Sequence, residues 1–92
     1  MLDLEGKHIL ITGGTGSFGN AFVRHVLDHF EPERLIILSR DELKQAEMKN
    51  TFSPDEYPCL RYFIGNIREK NRLHRAFANV DIVVHAAALK RV

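Results

Sequence analysis

Three evenly spaced glycines lie near the start of the chain, in the segment TGGTGSFG at residues 12–19. Gly13, Gly16 and Gly19 separate a short apolar run from a segment with helical periodicity. Glycines between a strand and a helix permit a tight turn, close approach of the backbone to a ligand, and close packing of the helix on the sheet. Free amides and the helix dipole then favour bound phosphates. The pattern predicts a loop that holds the pyrophosphate of a dinucleotide.

The glycine segment has two other interpretations. A P-loop requires Gly-Lys followed by Ser or Thr, and the sequence has no such triplet after these glycines. A glycine-rich turn that binds no ligand is the remaining alternative. The strand and helix patterns on either side favour the binding loop.

A second candidate site follows the second apolar run, where Ser39 and Arg40 precede a helical segment. An acidic residue at this place would hold the ribose hydroxyls of NAD, whereas a forked guanidinium suits the 2′-phosphate of NADP. Lys44 lies one helical turn further along and could add a second positive charge. The sequence therefore predicts NADP, while Asp41 keeps NAD open and a solvated helix surface is the alternative for Arg40 and Lys44.

Ser39 also begins the pattern S-x-x-E with Glu42. In a capping box, a serine three residues before a glutamate satisfies the first free amides of a helix. The pattern predicts Ser39 as the N-cap of a helix that runs to about residue 50. Capping and a cofactor contact are compatible roles for this hydroxyl.

The elements that must position these residues follow from hydrophobic periodicity. Short apolar runs predict four buried strands, at residues 9–11, 35–38, 62–64 and 82–84. Helical spacing predicts a first helix over residues 17–30 with an apolar stripe, and a third helix with one apolar side; the stripe is Phe18, Phe22, Val26 and Phe30, and the side is Leu73, Ala76 and Phe77. The alternation β-α-β-α-β-α-β predicts an α/β fold of Rossmann type, with a parallel sheet in the order 3-2-1-4.

This topology has two consequences for ligand and partner. The glycine loop lies at the switch between strands one and four, where open α/β sheets bind ligands. The first two helices cover one face of the sheet and the third helix covers the other, whereas strand four has an open outer edge. An open apolar edge favours a partner or a homo-oligomer.

Length, composition and charge restrict the class of protein. The 92 residues form at most one domain, and 45% apolar with 27% charged residues is typical of a soluble globular protein. Thirteen basic residues against 12 acidic ones give a net charge of +1, which argues against a nucleic-acid partner. The first 12 residues resemble neither a signal peptide nor a membrane span. The lone Cys59 suits a reducing compartment, so we expect a cytoplasmic protein.

Four segments together are similar to a known family: TGGTGSFG, SRDELKQAEM, RYFIGNIREKNRL and VDIVVHAAALKRV. They resemble successive blocks of the extended short-chain dehydrogenase/reductase superfamily, and within it the configuration-inverting UDP-N-acetylglucosamine 4,6-dehydratases of bacterial surface-sugar biosynthesis. The resemblance covers nearly the whole chain. The glycine loop alone identifies only the superfamily, whereas SRDELK and HAAALK are narrower.

The resemblance implies which residues contact the cofactor. The pyrophosphate would be contacted by Thr15, Gly16, Ser17 and Phe18. The adenosine ribose and its phosphate would be contacted by Ser39, Arg40, Asp41, Glu42, Leu43 and Lys44. Adenine would lie between Asn66, where the family usually has Asp, and Ile67. The nicotinamide side would be contacted by Ala86, Ala87, Ala88 and Lys90.

The activity that the resemblance implies is an internal redox cycle on a UDP-sugar, in which NADP accepts a hydride and returns it. Such enzymes use a Tyr-x-x-x-Lys pair, because the lysine charge lowers the pKa of the phenol that serves as base. Neither tyrosine fits, since Tyr57 is followed at the fourth place by Arg61 and Tyr62 by Asn66. We therefore expect residues 1–92 to be a cofactor-binding N-terminal portion that has no catalytic residue and is inactive alone.

Two other functions remain open. A non-catalytic sensor module could use the same fold, because fold does not fix function. An epimerase or reductase of the same superfamily differs mainly in residues that this chain does not contain.

Three further features of the sequence have ordinary interpretations. His25 and His29 have the spacing of a helical metal chelate, but no third ligand is apparent, so we expect a solvated helix face and no metal site. For His85 we expect a packed histidine at a strand end, with an approach to the cofactor crevice as the alternative. Cys59 lacks an activating base in the sequence and is interpreted as a small loop residue.

Overall fold

The computed structural model describes residues 3–13, 15–65 and 79–86 of the 92-residue chain. Its elements in chain order are β1 (His8–Thr12), α1 (Ser17–His29), β2 (Arg34–Ser39), α2 (Glu42–Thr51), β3 (Leu60–Ile64) and β4 (Ile82–His85). All four predicted strands and the first two predicted helices are present. The helix predicted around residues 73–77 lies outside the described residues.

The four strands form one parallel sheet in the order β3-β2-β1-β4, as the alternation of elements predicted. Ile9 of β1 pairs with Leu35 of β2 on one side and with Ile82 of β4 on the other. Leu35 in turn pairs with Leu60 of β3. Since β2 and β4 flank β1 on opposite sides, the carboxyl ends of β1 and β4 form the switch point of the sheet.

Alternating side chains of the strands enter two separate cores, which explains why the strands are continuously apolar. The odd-numbered residues Ile9, Ile11, Leu35 and Ile37 are fully buried in the main core. Both helices contribute to this core, through Val23, Val26 and Met48, and Phe52, the C-cap residue of α2, joins them. The even-numbered Leu10, Ile36 and Leu38 form a second, smaller core on the opposite face. The prediction that the first two helices cover the same face is confirmed.

Helix α1 follows the predicted stripe except at its first turn. Val23 and Val26 are fully buried, and Phe22 and Phe30 are partly buried against the main core. Phe18 is instead 40% exposed, and its ring stacks on that of Phe22 with the centroids 6.0 Å apart. Phe18 lies next to the glycine loop, and its side chain does not belong to the main core.

Helix α2 begins differently from the sequence prediction. Its N-cap is Asp41, whose carboxylate accepts a hydrogen bond from the Lys44 amide at 3.0 Å. The prediction that Ser39 is the N-cap is wrong, because Ser39 is the last residue of β2. Its carbonyl accepts from the Gly65 amide at 3.0 Å, which keeps it extended beside β3.

A reciprocal pair of hydrogen bonds joins the N-terminal ends of β1 and β4. The His8 amide donates to the Asp81 carboxylate at 2.9 Å, and the Asp81 amide donates to the His8 carbonyl at 2.8 Å. These bonds fix the position of β4 along β1. In the described part of the chain, neither helix is long and apolar enough to span a membrane.

Candidate dinucleotide-binding site

The glycine loop leaves the sheet at Gly13, which has a φ of +67°. This left-handed conformation favours glycine because a Cβ atom would clash with the backbone. The Gly13 amide still donates to the Leu38 carbonyl of β2 at 2.9 Å. The chain therefore turns sharply while it remains hydrogen-bonded to the sheet, as the sequence predicted for a tight turn at this glycine.

The first turn of α1 follows directly after the loop. Gly16 is the N-cap, in an extended conformation, and no side chain in the described ranges caps this helix end. The first turn contains no acidic residue, and Ser17 and Phe18 are exposed. Free amides at the positive end of the helix dipole can hold an anion. Gly19 is buried, at the position where a small residue allows α1 to approach the sheet.

Two hydroxyl groups connect the glycine loop to the loop after β2. The Oγ1 atom of Thr15 lies 3.1 Å from the Oγ atom of Ser39. The same Ser39 oxygen accepts from the Asp41 amide at 3.0 Å. Ser39 is only 5% exposed, so little water competes for these bonds. The residues predicted for the pyrophosphate and those predicted for the ribose phosphate are thus brought together.

An open pocket of about 580 Å³ lies at the second loop, and its described lining residues are Arg40, Asp41 and Glu42. Arg40 is exposed, as is Lys44 one turn further along α2, while Leu43 is 73% exposed. One of the Asp41 carboxylate oxygens is engaged in capping α2. The pocket therefore offers a forked cation at its wall, beside two acids that would disfavour a ligand phosphate placed close to them.

The switch point between β1 and β4 contains a polar pair. His85 Nδ1 lies 2.9 Å from Thr12 Oγ1, across the carboxyl ends of the two strands. Since His85 is exposed rather than packed, the expectation of a packed histidine is wrong, and the alternative, an approach to the cofactor crevice, stays a prediction. Ala86, which follows it, is 1% exposed and belongs to the main core. A contact of Ala86 with a cofactor stays a prediction.

Several predicted contacts fall outside the described residues. These are Asn66, Ile67, Ala87, Ala88 and Lys90, for which the sequence prediction stays a prediction.

The sequence analysis did not identify Asn20, whose side-chain amide donates to the carbonyls of Thr15 and Gly16. The available signal was its place directly after the third glycine, where a polar side chain is within reach of the loop.

Two other described side chains with reactive groups, Cys59 and Tyr62, have raised pKa values. Burial raises the pKa of the Cys59 thiol, against weaker opposing effects of a backbone hydrogen bond and of Arg61. Burial also raises the pKa of Tyr62 to about 12, and its hydroxyl donates to the Phe52 carbonyl at 2.7 Å. A phenol with a raised pKa is a poor general base near neutral pH.

The histidine pair on α1 is solvent-facing. The rings of His25 and His29 are 4.6 Å apart, and both residues are exposed. Among the residues that the structure describes, no group of three or more His, Cys, Asp or Glu side chains could hold a metal ion. The exposure of both rings agrees with the solvated helix face that the sequence predicted.

Comparison with known proteins identifies the family. The family of polysaccharide biosynthesis proteins matches residues 9–92, which is nearly the entire chain. The chain belongs to this family. Within it, a UDP-N-acetylglucosamine 4,6-dehydratase (inverting) from Campylobacter jejuni is 55% identical over 86 residues, which cover 94% of this chain. The resemblance inferred from the four sequence segments is confirmed.

The chain is also similar to two other proteins. A UDP-glucose 4-epimerase from Rickettsia bellii is 43% identical over 89 residues, covering 94% of the chain. The solved structure of Pen from Bacillus thuringiensis superposes on the chain with a TM-score of 0.82 at 36% sequence identity. The match covers 99% of this chain and 28% of the Pen chain. The chain spans 25% of the length of both curated relatives.

Proposed function

We propose that this chain is the NADP-binding portion of a UDP-N-acetylglucosamine 4,6-dehydratase that acts in bacterial surface-polysaccharide biosynthesis. The observation that carries the proposal is the connection of the glycine loop, through Thr15 and Ser39, to a pocket walled by Arg40. A pyrophosphate site and a 2′-phosphate site side by side suit an adenine dinucleotide phosphate. The 55% identity to an inverting dehydratase supports the choice of reaction and substrate.

Each part of the site has its own role in this proposal. The amides at the start of α1 bind the pyrophosphate, and Gly13 provides the turn that brings them to it. Arg40 and Lys44 neutralise the 2′-phosphate, while Ser39 positions the second loop. By the family resemblance, Asn66 and Ile67 would contact adenine, and Lys90 with the alanines at residues 86–88 would contact the nicotinamide side. The bound nicotinamide would supply the hydride transfer that a 4,6-dehydratase requires.

The chain contributes binding rather than acid-base catalysis. The hydroxyl of Tyr62 is held by a backbone carbonyl and its pKa is raised to about 12, the opposite of what a catalytic tyrosine needs. We therefore propose that the 92-residue chain does not convert UDP-N-acetylglucosamine to a 4-keto-6-deoxy sugar by itself. Formation of that product by the purified chain with NADP would contradict this assignment.

Calorimetric titration with NADP and with NAD tests the cofactor proposal. We expect tighter binding of NADP, and we expect Arg40→Gln to weaken NADP by about tenfold or more, because a charge-assisted hydrogen bond contributes about 1.5–3 kcal/mol. NAD affinity should change little. Lys7→Gln is the matched control, since it removes an exposed positive charge just before β1, at the opposite end of the strand from the glycine loop. Equal affinity of the unaltered chain for NAD and NADP would show that Arg40 does not read the 2′-phosphate.

A UDP-sugar epimerase is the second candidate, and the 43% identity to a UDP-glucose 4-epimerase favours it. Both candidates use the same cofactor site, so the titration does not separate them. The product formed from UDP-N-acetylglucosamine by the parent protein does, because a dehydratase yields a 4-keto-6-deoxy sugar and an epimerase yields a 4-epimer. A cytoplasmic location and self-association remain predictions of the sequence.

A further inference from the structure

Asn20, in the first turn of α1, holds the glycine loop from the helix side. Its side-chain nitrogen Nδ2 lies 3.2 Å from the Thr15 carbonyl oxygen and 2.9 Å from the Gly16 carbonyl oxygen. Its backbone amide also donates to the Gly16 carbonyl at 3.0 Å. Asn20 is half-buried. One residue thus engages both carbonyl groups that precede the helix.

These contacts determine which way the loop's amides point. In a trans peptide the carbonyl and the following N–H point in opposite directions. The described residues contain no cis peptide. When Asn20 attracts the carbonyls of Thr15 and Gly16, the amides of Gly16 and Ser17 are turned to the other side. An anion at the loop then meets N–H groups instead of carbonyl oxygens, which would repel it.

The chemistry of the contact requires a donor at this position. Both partners of Nδ2 are carbonyl oxygens, which only accept hydrogen bonds, so the side-chain nitrogen and not the oxygen must face them. An ionised aspartate has the same shape but cannot donate. It would also place a negative charge at the end of the helix that favours anions. Alanine would remove both side-chain hydrogen bonds, so that the Thr15 carbonyl loses this partner and the Gly16 carbonyl keeps only the backbone amide of residue 20.

We propose that Asn20 is a positioning residue that presets the glycine loop for a pyrophosphate. This inference rests on the proposed function, because it concerns the same cofactor site. It assigns to Asn20 a role towards the pyrophosphate alone. Arg40, on the second loop, acts on the 2′-phosphate alone, so the two residues control different parts of one ligand.

The test compares ligands that do and do not carry a pyrophosphate. For Asn20→Ala we expect the affinities for NADP and for NAD to fall by the same factor, on the order of tenfold for two lost hydrogen bonds. The affinity for 2′-AMP, which has the 2′-phosphate but no pyrophosphate, should be unchanged. Asn50→Ala is the matched control, because Asn50 is an exposed asparagine near the end of α2. Binding is measured by calorimetry on the purified chain.

The possible outcomes separate this inference from the proposed function. If the unaltered chain binds NADP and Asn20→Ala binds it equally well, Asn20 has no positioning role, while the cofactor proposal stands. If NADP and 2′-AMP weaken together, Asn20 supports the fold in general and the inference is wrong. If the unaltered chain binds neither NADP nor NAD, the proposed function itself fails. Should Asn20→Ala not fold, the isosteric Asn20→Asp should show the same selectivity with a larger loss.

Discussion

The segment at Ser39 contains two candidate N-caps for α2, and the structure uses only one of them. The segment contains Ser39 three residues before Glu42 and Asp41 three residues before Lys44, and both spacings suit the start of a helix. Pairing with β3 keeps Ser39 extended, so Asp41 becomes the cap. The Ser39 hydroxyl is then available to Thr15. Local sequence could not predict this, because the deciding contact comes from a distant strand.

The need for glycine at residue 13 is a different case, because it could be read from the sequence. A strand that ends in Gly-Gly before a helix requires a turn that only a residue without Cβ adopts easily, and the φ of +67° bears this out. The contact of Asn20 with the loop carbonyls could not be read in the same way. An asparagine on a first helical turn has many other possible partners.

Tyr62 gives a prediction at the scale of one residue. Burial raises its pKa from 10.0 to about 12, so the unfolded chain loses this proton at lower pH than the folded chain does. The free energy of unfolding should therefore contain a contribution that is fully present below pH 10 and declines as the pH rises towards 12. Urea unfolding of the unaltered chain and of Tyr62→Phe, followed between these pH values, measures the contribution as the difference between the two.

Tyr62→Phe should also lower the stability at neutral pH by about 1 kcal/mol, because it removes the hydrogen bond to the Phe52 carbonyl. The difference between the two proteins should shrink above pH 10. A constant difference across the whole pH range would mean that Tyr62 ionises equally easily in both states.

At the scale of elements, the strands and helices were predicted more accurately than their ends. In β1 and β2, alternate residues of a continuous apolar run fill two cores, and this signal does not depend on tertiary detail. Helix α2 has a much weaker apolar pattern in its sequence. Its buried residues are Gln45 and Met48, and only Met48 is apolar. Its start therefore depended on capping chemistry, which is where the prediction was wrong.

The N-cap of α2 can be tested directly. Asp41→Ala should lower the free energy of unfolding by about 1 kcal/mol, because the Lys44 amide loses its partner. Asp41→Asn should remain close to the unaltered chain, since asparagine caps equally well. Asp55→Ala is the control, an exposed acid in the turn between α2 and β3. If Asp41→Ala is as stable as Asp55→Ala in urea unfolding, Asp41 does not cap the helix.

At the scale of the whole molecule, the charges of the chain nearly cancel. Thirteen basic and 12 acidic residues give a net charge of +1, so the chain exerts little long-range attraction on an anionic ligand. Any preference for NADP over NAD must then come from charges close to the 2′-phosphate. In the proposed site, Arg40 and Lys44 are the described cations that would lie near this phosphate.

The near-neutral balance leads to a prediction for the dependence of binding on salt. Raising the ionic strength from about 0.1 M to about 1 M shortens the Debye length from about 10 Å to about 3 Å. We expect NADP affinity to fall several-fold over this range and NAD affinity to change much less. In Arg40→Gln the two cofactors should show nearly the same salt dependence. Parallel losses of NADP and NAD in the unaltered chain would contradict a local origin of the preference.

The hydrogen bond from the Gly13 amide to the Leu38 carbonyl has a consequence for motion. It makes the first residue of the cofactor loop the last rung of the ladder between β1 and β2. Hydrogen exchange at Gly13 should therefore be as slow as in the sheet, whereas the uncapped amides of Ser17 and Phe18 should exchange quickly until a ligand covers them. Gly13 is thus held by the sheet, whereas the first amides of α1 are free. A ligand can then slow the exchange of the Ser17 and Phe18 amides without first having to order the chain at Gly13.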